Sequence, residues 1–218
     1  MTVRTYPAPP VDRDEIFRYA ACRRPGEEDR ALLERCLEEL GDRLRYSVCY
    51  TTVSVSVEGE ETDLGFARSG SRDMARWLSG CREAVAFAAT VGLELDRLIS
   101  RYSRVSPSRA LLFQAIGAER IEALCDAFCA DMAAELARSG RGVTRRFSPG
   151  YGDLPLSLQR ELFQVLDCPR KIGLSLNESL LMTPTKSVTA LMGVTDCPGA
   201  ESRSGCDICD KLDCQLRR

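Results

Sequence analysis

Residues 106–140 read SPSRALLFQAIGAERIEALCDAFCADMAAELARSG, the longest stretch of helical spacing in the chain. Apolar residues recur at every third or fourth position from Leu111 to Leu136, and Pro107 stands where proline suits the first turn of a helix. The pattern predicts one long helix that ends near Gly140. Small residues around Gly117 would allow a sheet to approach this helix closely.

Segments on both sides of this stretch alternate between apolar and polar residues, as strands do. The alternation over residues 46–57 changes phase at Thr51-Thr52, which predicts a bulged or bent strand. Residues 81–91 fit either a buried helix or a buried strand, and the turn residues that follow favour a strand. Residues 172–176 and 188–194 are expected to form the two arms of a hairpin.

Short helices complete the pattern. Two of them are expected within residues 10–42, and Ser71 is expected to cap another. The sum predicts an α+β domain over residues 1–195, in which an antiparallel sheet is packed by one long helix and several shorter ones. Residues 196–218 are polar and show no period, which predicts a Cys-rich C-terminal tail.

Composition excludes several classes of function. The 218 residues include 30 basic and 32 acidic ones, so the chain lacks the charge of a protein that binds nucleic acid or an anionic membrane. The longest apolar stretch, 84–93, is about half of the ~20 residues that a membrane-spanning helix needs. No histidine is present, which excludes Ser-His-Asp and Cys-His catalysis and imidazole metal ligands.

The chain contains eleven cysteines. The N-terminus has no apolar core of a signal peptide, so we expect a cytoplasmic, reducing location in which metal binding is favoured over disulfides. Four of the cysteines lie in the tail and are candidate ligands of one metal centre: Cys197, Cys206, Cys209 and Cys214. Their spacing leaves three alternatives open, namely an iron-sulfur cluster, zinc, or a tail without metal. The other seven cysteines fit buried core positions.

The loop Arg-Arg-Phe-Ser-Pro-Gly-Tyr-Gly-Asp-Leu-Pro (residues 145–155) joins a predicted strand to a predicted helix. Arg146 suits a carboxylate, backbone amides near Gly150 suit polar atoms, and Tyr151 offers a flat face to an aromatic ring or a sulfonium. By its local chemistry alone, such a loop is more often a simple turn.

Two motifs in order carry a family resemblance. Residues 146–151 (Arg-Phe-Ser-Pro-Gly-Tyr) precede a proline and a helical pattern, and residues 176–184 (LNESLLMTP) precede Lys-Ser-Val at 186–188. They resemble the activation domain of cobalamin-dependent methionine synthase, in which an Arg-Pro-Ala-Pro-Gly-Tyr motif precedes a hairpin with Thr-Glu-Ser, Met, Pro and Ser-Val. The resemblance is strongest over 142–194 and extends to the helical stretch 81–136.

The resemblance implies the fold of that domain and the binding of S-adenosylmethionine by Arg146, Ser148, Gly150 and Tyr151. It implies a free-standing activation subunit that supports reductive remethylation of the cobalamin of a methionine synthase or related corrinoid methyltransferase. The chain would then be an accessory of methionine biosynthesis with no catalytic residue of its own. Because cobalamin-carrying modules use histidine to ligate cobalt, the cobalamin is expected on a partner protein, and an electron donor is a further expected partner.

Two alternatives remain at this stage. One is a small-molecule methyltransferase that uses S-adenosylmethionine, although no Gly-rich fingerprint of a doubly wound sheet is present. The other is a metal-binding regulatory or scaffold protein.

One acidic pair stands out on the predicted long helix. Glu122 and Asp126 lie four residues apart and would either reach the amine of a ligand or form a solvated face, and the spacing favours the solvated face. The resemblance does not place the acidic residue that holds the ammonium of S-adenosylmethionine.

Overall fold

A computed structural model describes residues 1–196 of the chain. It contains seven α-helices and ten strands within that range, with one short 3-10 helix at Leu156–Leu158. The helices are α1 (Arg13–Tyr19), α2 (Glu27–Leu40), α3 (Arg72–Trp77), α4 (Glu94–Tyr102), α5 (Pro107–Ala137), α6 (Gln159–Leu166) and α7 (Cys168–Ile172). The strands are β1 (Thr2–Tyr6), β2 (Tyr46–Ser54), β3 (Ser56–Glu58), β4 (Glu61–Asp63), β5 (Arg68–Ser69), β6 (Glu83–Thr90), β7 (Gly142–Val143), β8 (Ser175–Leu176), β9 (Met182–Thr183) and β10 (Ser187–Thr195).

A five-stranded antiparallel sheet forms the centre of the fold, with strand order β1-β2-β6-β10-β7. Its middle strand, β6, is almost completely buried from Ala84 to Thr90, so both faces of the sheet are covered. The predicted α+β fold, an antiparallel sheet packed by one long helix and several shorter ones, is confirmed. Strand β6 lies within residues 81–91, for which the sequence favoured a strand. No helix in the described range is long and apolar enough to cross a membrane.

Helix α5 covers one face of the sheet along 31 residues. Its apolar side chains enter the largest core cluster together with Val85 and Phe87 of β6. The close approach at Gly117 is made by a side chain rather than by the sheet backbone, because a Cβ there would lie 2.7 Å from carbons of Lys186. The ammonium of Lys186 then donates a hydrogen bond to Gln114 at 2.6 Å.

The opposite face carries α3, α6 and the small β3-β4-β5 sheet. Met74 and Trp77 of α3 and Leu162 of α6 pack there against Ala84 and Ala86 of β6. The two helices therefore lie on the side of the sheet away from α5.

Two expectations about strands are wrong. The pairing of β2 with β6 is continuous from Ser47 to Ser54, so no bulge occurs at Thr51-Thr52. The change of phase instead reflects burial on both faces, since the consecutive residues Val48 and Cys49 are each fully buried.

The expected hairpin between residues 172–176 and 188–194 does not form. Strand β10 pairs with β6 and β7, while β8 pairs with β9. Residues 168–172 are helical, with a proline in the first turn of α7. A strand buried on both faces carries too little alternation for its partner to be read from sequence.

The N-terminal strand β1, which the sequence analysis missed, is followed by a segment that is anchored to α5 by a buried ion pair. Arg120 donates hydrogen bonds to the carbonyl oxygens of Pro9 and Pro10, and Glu119 accepts one from the amide of Asp12 at 3.1 Å. Arg120 and Glu119 also pair with each other, and their side chains are only 2% and 4% exposed. The pair thus provides hydrogen-bond partners for backbone groups of residues 9–12 where this segment packs against α5.

We expect Arg120→Ala to lower the free energy of unfolding by about 3–5 kcal/mol, because it leaves the Glu119 carboxylate buried without its cation. The measurement is urea denaturation followed by circular dichroism. The matched control is Arg13→Ala, which breaks the exposed pair with Glu34 and should cause a much smaller loss. Equal losses in the two variants would contradict the role assigned to the buried pair.

Candidate functional site

Arg146 projects onto α5 from the segment that follows β7. The next residue, Phe147, exchanges backbone hydrogen bonds with Leu191 of β10 at 2.8 and 2.9 Å and stacks on Trp77 at 5.4 Å between ring centroids. Trp77 also donates from its indole nitrogen to the carbonyl of Arg145 at 2.8 Å. Because side chains alternate along extended backbone, fixing Phe147 on the α3 side directs Arg146 to the α5 side.

Arg146 forms two ion pairs there. One terminal nitrogen lies 2.5 Å from Glu122 and the other lies 2.6 Å from Asp126. The side chains of Arg146, Glu122 and Asp126 are 22%, 36% and 70% exposed. The acidic pair is thus exposed to solvent in part, as expected of a solvated face, but both acids also pair with Arg146, which the sequence analysis did not predict. We call the three residues the acid–arginine cluster.

The cluster carries a net charge of minus one. Burial works to lower the pKa of Arg146, but the carboxylates of Glu122 and Asp126 act to raise it, and the pKa lies above its ordinary value. Burial raises the pKa of the adjacent thiols of Cys125 and Cys129, which keeps both thiols neutral. Two carboxylates thus face one guanidinium in a partly exposed position.

The loop of residues 148–155, which we call the Gly-Tyr-Gly loop, is closed by its own backbone. The amide of Tyr151 donates to the carbonyl of Ser148 at 3.2 Å, and the amide of Gly150 donates to the carbonyl of Leu154 at 2.9 Å. These two amides are occupied, so the expectation that free amides near Gly150 would bind polar atoms is wrong for them. The Tyr151 side chain is 62% exposed and presents its ring to solvent.

Asp153 ties this loop to the N-terminus of α3, and the sequence analysis did not single it out. Its carboxylate accepts hydrogen bonds from the hydroxyl of Ser71 and from the amides of Arg72 and Asp73, the last two at 2.8 and 3.2 Å. Desolvation works to raise the pKa of Asp153, but the bonds from Ser71 and Arg72 outweigh it and lower the pKa. Ser71, the N-cap of α3, lies 82 positions before Asp153, so no local sequence pattern predicts this contact.

The second motif forms the β8–β9 hairpin. Asn177 closes its turn by accepting from the amide of Leu181 at 2.9 Å on its side-chain oxygen. The guanidinium of Arg160, on α6, donates to the carbonyl of Glu178 at 3.0 Å. Helix α6 follows the Gly-Tyr-Gly loop after the short 3-10 helix, so it links the two motifs in space. The Glu178 residue itself is exposed.

The four tail cysteines, Cys197, Cys206, Cys209 and Cys214, lie outside the described residues. Within residues 1–196, no group of three or more His, Cys, Asp or Glu side chains is arranged to hold a metal ion. Five of the seven cysteines in that range are buried, and Cys22 and Cys129 are partly exposed. This placement agrees with their interpretation as small core residues.

Gly152 provides a test of how the loop is held. It has a φ of 56°, and a Cβ there would lie 2.1 Å from a carboxylate oxygen of Asp73. We expect Gly152→Ala to destabilise the protein by about 1–2 kcal/mol for the left-handed backbone and by a further amount for the displaced Asp73.

The control is Gly59→Ala, since Gly59 has a φ of 65° with no atom within 4 Å of the added Cβ. Thermal unfolding of both variants separates the two costs. A Gly152→Ala variant no less stable than Gly59→Ala would show that the contact with Asp73 carries no weight.

Comparison with known proteins found one matching protein family and similar solved structures. A family model described as "Vitamin B12 dependent methionine synthase, activation domain" matches residues 72–197. Among solved structures, the chain is similar to one described as "Crystal Structure of the MetH Reactivation Domain bound to AdoHcy", with a TM-score of 0.63 and 15% sequence identity over 88% of this chain and 76% of that chain. At that identity, the likeness shows the fold. No curated protein matches the chain.

The family match contains the Gly-Tyr-Gly loop, the acid–arginine cluster and the β8–β9 hairpin, and it spans more than half of the 218 residues. The chain therefore belongs to the family of vitamin B12-dependent methionine synthase activation domains, and its fold is that of the reactivation domain.

Proposed function

We propose that the chain binds S-adenosylmethionine along Arg146, Ser148, Gly150 and Tyr151. Family membership supports this proposal, as does the similar reactivation domain, whose structure is described with S-adenosylhomocysteine (AdoHcy) bound. The single observation in this chain that carries it is the internally bonded turn from Ser148 to Tyr151, which follows Arg146 by two residues and leaves the Tyr151 ring exposed.

Each of these residues has a property that suits the ligand. Arg146 keeps its positive charge and has five N–H donors, so it suits the carboxylate of the ligand's amino-acid end. The exposed ring of Tyr151 suits stacking on the adenine or contact with the sulfonium. Arg146 precedes the turn from Ser148 to Tyr151 by two residues, and in this proposal one extended ligand contacts both Arg146 and Tyr151.

The bound S-adenosylmethionine would serve the reactivation of a cobalamin held by a partner protein. The chain has no histidine, so a histidine ligand to cobalt would have to come from outside these 218 residues. In reductive remethylation, a donor would reduce the partner's oxidised cobalt by one electron, and the reduced cobalt would supply the electron pair that takes the methyl group as the bond between sulfur and the methyl carbon breaks, which leaves AdoHcy. We propose that this chain acts as a free-standing accessory subunit in that reaction, with a cobalamin-dependent methionine synthase or a related corrinoid protein as its partner.

The alternative of an ordinary small-molecule methyltransferase has less support. All pairings in the central sheet are antiparallel in the described residues, whereas the doubly wound fold expected for such an enzyme has a mostly parallel sheet. The alternative of a regulatory or scaffold protein is decided by whether the chain binds S-adenosylmethionine at all.

We expect Arg146→Ala to weaken binding of S-adenosylmethionine by about ten- to a hundredfold, because it removes a charge-assisted pair with the ligand carboxylate. Isothermal calorimetry on the full chain measures the dissociation constant. The control is Arg145→Ala, which removes one positive charge from the preceding residue but leaves Arg146 in place. If both variants bind as tightly as the wild type, the ligand lies elsewhere.

The tail is the proposed place of a metal centre, with an iron-sulfur cluster ahead of zinc because the reaction needs an electron. We expect anaerobically purified full chain to contain iron, and a variant with Cys197, Cys206, Cys209 and Cys214 all changed to serine to lose it. That variant should still bind S-adenosylmethionine but fail to support reductive remethylation of the partner's cobalamin. Iron and zinc analysis together with the remethylation rate measure this. Metal-free wild-type protein, or equal rates for the two forms, would refute a metal role for the tail.

A further inference from the structure

The acid–arginine cluster has a net negative charge, which binding of a ligand carboxylate would not require. A site built only to bind a carboxylate would present an unopposed cation, yet Arg146 already pairs with both Glu122 and Asp126. The neighbouring thiols are neutral because burial raises the pKa of Cys125 and of Cys129. Before any ligand arrives, the cluster is therefore anionic.

Binding of a ligand carboxylate does not require these acids to leave. A guanidinium has five N–H donors. The described contacts of Arg146 take three of them, toward Glu122, Asp126 and, at 4.0 Å, the sulfur of Cys129. A carboxylate is thus able to join the cluster while both acids remain beside the guanidinium.

The two forms of the ligand differ in charge. S-adenosylmethionine carries a sulfonium and has one net positive charge, whereas AdoHcy carries a neutral thioether and has none. In both, two methylene groups separate the sulfur from the carbon that bears the carboxylate and the ammonium. A sulfur so close to the Arg146 contact lies within about one Debye length (about 8 Å at physiological salt) of the two acids, so their charges are not screened from it.

We propose that Glu122 and Asp126 make this site selective for the cationic sulfonium over the neutral thioether. The inference rests on the proposed function, since it needs the ligand to lie at Arg146. The positive sulfonium is attracted by the surplus negative charge, while the thioether gains nothing from it. Loss of the methyl group then removes this attraction, so the cluster favours release of AdoHcy after methyl transfer.

The experiment compares two dissociation constants in each protein, for S-adenosylmethionine and for AdoHcy, by calorimetry with the full chain. The measured quantity is the ratio of the two constants, which cancels effects common to both ligands. The variants are Asp126→Asn and Glu122→Gln, singly and together. Since the Asp126 side chain is 70% exposed, its amide variant keeps the proposal testable even if the Glu122 variant folds poorly.

Each neutralised acid is expected to lower the preference for S-adenosylmethionine by about three- to tenfold. The preference in the wild type should also decline as salt is raised, because the attraction is electrostatic. The control is Glu135→Gln on the same helix, whose carboxylate pairs with Arg4 at 2.5 Å and is 53% exposed. Glu135 lies nine positions from Asp126, or about 13 Å along a helix, and its variant should leave the ratio unchanged.

The outcomes separate this inference from the function on which it rests. If neither ligand binds the wild type, the proposed function fails and the inference falls with it. If both ligands bind and the ratio is the same in the wild type and in the double variant, the function stands and the charge selectivity is overturned. A fall in the ratio for Glu135→Gln as large as for Asp126→Asn would also overturn it, because the effect would then not belong to the cluster.

Discussion

The complete burial of strand β6 is the constraint on which the rest of this structure depends. Residues from Ala84 to Thr90 lie between two neighbouring strands and under cover on both faces. Four of these residues are alanines, which let α5 approach from one side and the α3–α6 layer from the other. A sheet buried on both faces needs two helical layers, and the chain supplies them from segments that precede and follow β6.

This arrangement explains which parts of the fold the sequence could predict. The helix expected over residues 106–140 is present as α5, because its apolar period is set by one buried face and is visible locally. Alternation is weak where both faces are buried, as at Val48 and Cys49, and there the sequence suggested a bulge that does not exist. The partner of β10 was mistaken for the same reason, since seven of the nine residues of this strand are buried and the strand shows little polar contrast.

The candidate site shows a similar division. The motif predicted Arg146, Ser148, Gly150 and Tyr151 as ligand-binding residues, and that assignment stays a prediction. The motif did not predict that Arg146 pairs with Glu122 and Asp126, because that depends on how a strand end lies against a helix twenty or more residues away in sequence. Asp153 was missed for a related reason, because its partners lie at the N-terminus of α3, about 80 residues earlier in the sequence. Long-range register, rather than local propensity, decides these contacts.

The attachment of the Gly-Tyr-Gly loop through Asp153 links the order of the loop to that of α3. The carboxylate holds the first turn of this six-residue helix, and Trp77 at the other end of the helix stacks on Phe147. Opening of the loop and fraying of α3 are therefore parts of one local fluctuation. A molecule that settles on the loop would slow hydrogen exchange in the amides of α3, a helix that it need not touch, and a partner that loosens α3 would weaken the hold on that molecule.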